Sequence, residues 1–151
     1  FWVRFAEKYG SPWVIGKHPR GTAQGEIDLL LDSMGATQQV ILTTTVTASA
    51  ALTQQRFVGA DNAPCQAGAV ALGVAEVDAA AGDVTPVNVL GIVAVEAGAA
   101  IARGLNVQSD ANACAVPQTA ATEDAPAGIS AGIALDEALA EGDVIRILRG
   151  V

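Results

Sequence analysis

No lysine occurs after Lys17, and that absence narrows the function more than any motif does. Residues 1–36 balance Arg4, Lys8, Lys17 and Arg20 against Glu7, Glu26, Asp28 and Asp32, so the whole net charge of −8 falls on residues 37–151. From residue 37 onward the only cations are Arg56, Arg103, Arg146 and Arg149. Phosphate backbones and anionic lipid surfaces are held by clustered cations, so this composition argues against nucleic-acid and membrane partners. No apolar run approaches the ~18 residues that span a bilayer. The chain begins with Phe, and Phe1–Phe5 lacks the basic-then-apolar layout of a secretory signal. The single histidine, His18, lies in a polar Lys-His-Pro-Arg stretch with no second His or neighbouring Cys, which reads as surface rather than as a base–nucleophile pair. There is no Gly-x-Ser-x-Gly elbow, no phosphate-cradling Gly-Lys-Ser/Thr loop and no Gly-x-Gly-x-x-Gly order in Gly68–Gly73. Nothing here calls for a cofactor or a catalytic residue. Two cysteines are too few for a disulfide framework or, with one distant His, for a metal site.

Aromatics are also scarce, at 4%, against a hydrophobic content of 51% that is largely Ala and Val. Such a chain fills only a thin core, so some of its stabilising burial is expected from association with other subunits. What the chain does have is a duplicated phrase. Leu72-Gly73-Val74-Ala75, Asp78, Gly82-Asp83-Val84 and Val87–Gly91 are answered by Ala131-Gly132-Ile133-Ala134, Asp136, Gly142-Asp143-Val144 and Ile147–Gly150. Upstream, Ala51-Leu52, Arg56-Phe57-Val58 and Asp61-Asn62 are answered by Ala100-Ile101, Gly104-Leu105, Val107 and Asp110-Ala111-Asn112. A repeated unit of short apolar runs and Gly-Asp turns predicts a mainly β fold: a small barrel or sandwich built from a duplicated strand–turn–strand unit.

The first 36 residues read differently. Ile27, Leu30, Leu31 and Met34 fall at helical spacing with acids in the first turn, which predicts one short amphipathic helix ending at Gly35. This gives an N-terminal arm over 1–36 and a β domain over 37–151. Gln39–Thr47 is rich in β-branched residues and reads as extended chain. Strand-like runs follow at 56–60, 70–76, 84–90, 92–96, 105–109, 129–135 and 143–148. Pro86 marks an edge or bulge, and Gly91 a sharp bend between two runs. The Ala-rich stretches at 78–82, 96–102 and 136–141 are short and Gly-bounded, so they read as single turns or loops. Residues 118–128 form the longest loop.

Among polar candidates, Asp78, Asp83, Asp136 and Asp143 recur at turns, where carboxylates bond their own backbone N–H groups. A ligand cleft framed by the duplicated Gly-Asp turns, enzymatic or binding, is the alternative. Cys65 and Cys114, each four residues after an Asp, occupy matching places and read as two small buried hydrophobes. A bridge between them would need Cα atoms within about 7 Å. Arg146 and Arg149 alternate with apolar residues in the last strand and are expected to face outward, toward a neighbouring subunit's acids. Trp2, Phe5, Tyr9 and Trp13 concentrate anchoring side chains in the arm.

The run Thr43–Ala48, Arg56-Phe57-Val58, Ala71–Val74, Ala79–Asp83, Val89-Leu90-Gly91, Val95–Ile101 and Ser109-Asp110-Ala111, closing on Gly142-Asp143-Val144-Ile145-Arg146-Ile147-Leu148, resembles the capsid-decoration (cement) proteins of tailed phages over residues 37–151. Some members of that family carry a recombinase label, which the missing phosphate loop and the acidic charge contradict here. Phe1-Trp2, Phe5–Trp13 and Gly16-Lys17 are similar to a short internal stretch of Mu-like phage portal proteins, which covers a fragment too small to build a DNA channel. The resemblances imply a non-enzymatic virion protein, made in the host cytoplasm, that seats on the capsid exterior, stabilises it, and partners with the major capsid protein and with itself as a homotrimer.

Overall fold

The structure, a computed structural model, describes residues 37–150. The helix expected around Ile27–Met34 lies outside the described residues. Within them the chain forms eight strands and no helix: β1 (Gln39–Thr47), β2 (Phe57–Gly59), β3 (Ala71–Ala75), β4 (Val84–Glu96), β5 (Asn106–Ser109), β6 (Ala115–Pro117), β7 (Gly132–Ala134) and β8 (Val144–Arg149). They form one antiparallel sheet in the order β2-β3-β4-β8-β7-β5-β6. β1 takes the other flank of β4, because Gly91 faces Val40 on one side and Arg149 on the other. The sheet nearly closes on itself. The Phe57 N–H of β2 donates to the Ala113 carbonyl just before β6 at 2.7 Å, and Ala97 bridges Ala115 in parallel. This is the barrel that many short strands with Gly-Asp turns lead one to expect.

The runs at 84–90 and 92–96 are one strand rather than two joined by a bend. Gly91 makes this possible with φ +107°; a side chain there would sit 2.8 Å from the backbone N of Ile41. Pro86 is tolerated for a geometric reason. The Ala48 N–H donates to Asp83 O, so by strand alternation Val46 and Thr44 bond β4, while the backbone groups of Thr43, Thr45 and Thr47 turn to the open side. Pro86 lies opposite Thr45, where β1 asks no N–H of it. Only β6, a three-residue strand ending in Pro117, has no counterpart among the expected runs.

β4 belongs to both repeats. Its first half closes repeat one (β1, β2, β3), and Ile92–Glu96 opens repeat two (β5, β7, β8). The registers prove it pair by pair. Thr43–Asn88 through Thr47–Val84 is answered by Ile92–Leu148 through Glu96–Val144, Phe57–Val74 by Asn106–Ile133, and Val74–Asn88 by Ile133–Leu148. The turns agree too: Ala48 N donates to Asp83 O at 2.8 Å and Ala97 N to Asp143 O at 2.7 Å, and the bridges Leu52–Ala79 and Ile101–Ala138 match. The core follows the duplication. A small cluster of Ala48, Leu52, Val58, Ala75 and Val87 has its equivalents in Ala97, Ile101, Val107, Ala134 and Ile147, all within the main core. That main core adds Phe57, Val74, Val93, Val95 and Ile145. Each large apolar side chain buried there contributes roughly 1.5–3 kcal/mol.

The cysteines are an exception to the matching. Val58 pairs with Pro64, but Val107 pairs with Pro117, so the second hairpin is two residues longer on each arm. Their tips align instead: Gly59 N donates to Ala63 O as Asp110 N does to Cys114 O, and Asn62 (φ 61°) matches Ala113 (φ 63°). Cys114 therefore answers to Ala63, and the apparent equivalence with Cys65 came from spacing alone. Both cysteines are free and buried.

Candidate functional site

All four turn aspartates are engaged within the chain, but only Asp83 and Asp143 bond the backbone of their own turns, while Asp78 and Asp136 reach other strands and loops. Asp78 Oδ1 accepts the Gln54 N–H at 2.7 Å. Asp83 Oδ2 accepts Ala80 N–H at 2.9 Å, and Asp143 Oδ2 accepts those of Leu139 and Ala140 at 2.8 and 3.1 Å. Asp136 receives a forked pair from Arg146, Nε to Oδ2 at 2.7 Å and Nη2 to Oδ1 at 2.8 Å, plus the Arg146 backbone N–H. Those bonds, led by the guanidinium, hold the Asp136 carboxyl below its ordinary value and raise Arg146. A shallow cleft is lined by Leu52, Thr53, Arg56, Phe57, Pro64 and Asn112, and neither Gly-Asp turn contributes to it. Among the described residues no three His, Cys, Asp or Glu gather to hold a metal. A ligand site needs polar groups that converge on a concavity, and these carboxylates are already taken by backbone N–H groups and by Arg146.

The two arginines of β8 part company. Arg146 is half-exposed in its pair with Asp136. Arg149 instead turns into the chain. Its Nε donates to Val89 O at 2.9 Å, Nη1 to Ala131 O at 2.7 Å, and Nη2 to Ala71 O and Leu72 O at 2.9 and 3.2 Å. Burial without a carboxylate partner lowers its pKa. It fills the gap where β3 and β8 diverge along the same flank of β4, tying both repeats together. Arg56 pairs with Glu96 at 3.1 Å, which raises its pKa, and this links the start of β2 to the end of β4. The thiols of Cys65 and Cys114 are raised by burial, as buried structural cysteines are.

What the surface offers is apolar strand. Val40, Ile41 and Leu42 of β1 are exposed, Ile41 at 82%, and Leu90 stands opposite Leu42 in register. The far edge of β1 has no strand partner among the described residues. An uncharged, Pro-free, nine-residue run rich in β-branched residues is the signal by which that edge is legible in the sequence. Trp2, Phe5, Tyr9 and Trp13 lie outside the described residues. The loop after β6 is tied at its base: Gln118 Nε2 donates to Gly128 O at 2.7 Å, and the buried Gln108 Oε1 accepts the Thr119 N–H at 2.9 Å.

An all-β barrel whose polar groups stabilise its own turns, and whose exposed features are strand edge and apolar side chains, is a structural module. The chain belongs to the phage cement protein family, whose model matches residues 36–149. A second model, the portal protein of Mu bacteriophage, matches residues 1–55. No curated protein matches the chain. Among solved structures, the crystal structure of the head fiber gp8.5 N base of bacteriophage phi29 is similar, with a TM-score of 0.55 and 24% identity, covering 72% of this chain and 93% of that one. That likeness concerns the fold. Family membership makes this a phage structural protein of the decoration type, associated with the capsid, and not an enzyme.

Proposed function

We propose that the chain seats on the outer surface of an assembled capsid, contacts neighbouring copies of the major capsid protein, and acts there as a homotrimer after synthesis in the host cytoplasm. The observation that carries this reading is the cement-family match over nearly all of the β barrel. The mechanism is mass action: a protein that binds only the assembled lattice stabilises that lattice against internal pressure. Trp2, Phe5, Tyr9 and Trp13 supply the capsid anchors, since Trp and Tyr bury large areas at low entropic cost. Arg146 and Arg149 have their donors already engaged within the chain, Arg149 inside it, so neither drives the contact.

Co-sedimentation with purified capsids tests the reading. Occupancy should persist from about 0.1 M to about 1 M salt, over which the screening length falls from roughly 10 to 3 Å, because apolar and backbone contacts are little screened. Full release in that range would mean that the acids of this chain grip basic capsid residues, and it would overturn the apolar clamp. Absence of the chain from capsid pellets at every salt concentration would overturn the attachment itself.

A further inference from the structure

The duplication carries one contact that the chain makes once where its logic calls for two. In repeat two, the opening strand Ile92–Glu96 has its outer edge covered. Glu96 N–H donates to Gln55 O at 2.7 Å, Ala94 N–H to Gln38 Oε1 at 3.1 Å, and the Glu96 side chain pairs with Arg56. Residues 93–95 are buried, Val93 and Val95 within the main core. In repeat one, the equivalent strand is Thr43–Thr47 of β1. Among the described residues its outward backbone groups find no such cover, and Thr43, Thr45 and Thr47 are all exposed. The corner that does the covering, Gln55-Arg56-Phe57, is half-buried to buried, while its equivalent in repeat two, Gly104-Leu105-Asn106, is exposed throughout. Each repeat thus leaves one half of the same joint open: a strand edge at the front of the chain and a matching corner at the back.

We propose that these halves meet between copies: the β1 edge of one copy docks on the Gly104–Asn106 corner of a second copy, repeating the internal joint. The Gly104 carbonyl takes the place of Gln55 O and accepts the Thr47 N–H, and Leu105 lies beside Thr47 as Arg56 lies beside Glu96. The occupant is a second copy rather than another protein because the two open surfaces are repeats of the two closed ones. The edge carries no Lys, Pro or charge to repel a strand partner. The contact is head-to-tail, so it closes into a ring or runs on as a filament according to its rotation.

The inference specifies the self-contact of the proposed function. Its test uses the purified full chain without capsid, so loss of this contact and loss of capsid attachment are read separately. Sedimentation velocity should show self-association. Thr47→Glu or Leu105→Arg alone, each placing an unpaired charge in the joint, should raise the dissociation constant by at least about tenfold. The double variant rebuilds the Glu96–Arg56 pair across copies and should recover most of that loss. A short bis-maleimide should link Thr47→Cys to Leu105→Cys between chains in a mixture of the two single variants. A wild-type chain that stays monomeric up to about 100 μM overturns the proposal. So do charge variants that leave association unchanged, or a link formed within one chain in a variant carrying both cysteines.

Discussion

Replacing Arg149 with Met should be the most damaging single change to a charged residue in the barrel. Met keeps most of the length and apolar stem but removes every donor. Four carbonyls, those of Val89, Ala131, Ala71 and Leu72, lose their shared partner at once. A hydrogen bond to a charged group contributes roughly 1.5–3 kcal/mol, and a buried acceptor left unpaired costs about 1–3 kcal/mol. The site is half-buried, so water recovers some of these acceptors, and removal of the buried cation returns its own desolvation cost. A net loss of about 3 kcal/mol remains, or roughly 10 °C in Tm for a domain of this size. Arg149→Lys should fall in between, because a compact ammonium with three donors cannot span carbonyls on both repeats. Arg146→Met is the control: its half-exposed pair with Asp136 is screened by solvent and should contribute far less. Thermal unfolding at one fixed protein concentration measures all three, so that self-association does not shift the comparison. If Arg149→Met costs no more than Arg146→Met, the carbonyl cage is not what holds β3 and β8 to β4.

Thr85 is buried with its Oγ1 lacking a hydrogen-bond partner among the described residues, and its equivalent in the second repeat is the apolar Ile145; Thr85→Val should therefore stabilise by about 1 kcal/mol in denaturant titration, and a loss of stability would show that the hydroxyl is satisfied. Asp136 has a depressed pKa, so its contribution is present above about pH 4 and fades as pH falls through its lower folded value. Asp136→Asn should flatten the acid limb of the stability profile, and an unchanged limb would show that Arg146 does not stabilise the carboxylate. The two thiols, raised by burial, should stay protonated and react with a thiol reagent only as fast as the barrel opens, while stability falls above about pH 8.5 as unfolded thiols ionise; rapid modification of the folded chain would contradict their burial. A domain free of Lys should give no DNA retardation even at low ionic strength, and any retardation would reopen the structural reading.

The β class, the duplication and the strand at Gln39–Thr47 were legible in the residues alone, because period, β-branching and Gly-Asp turns act locally. The turn role of Asp83 and Asp143 was equally legible, since a carboxylate three or four residues from the N–H it accepts needs no distant partner. Three matters waited on tertiary structure. Gly91 reads as a break in the chain, yet pairing on both flanks carries one strand through it. Cys65 and Cys114 match by spacing, but hairpin length decides which residues reach the tips, and a longer arm moved Cys114 two positions out of step. Arg146 and Arg149 look alike in an alternating strand, whereas the carbonyls that Arg149 binds lie 18 to 78 residues away. Local chemistry set the elements. Which groups were left facing one another, and which edge was left open, followed only from how the two repeats share β4.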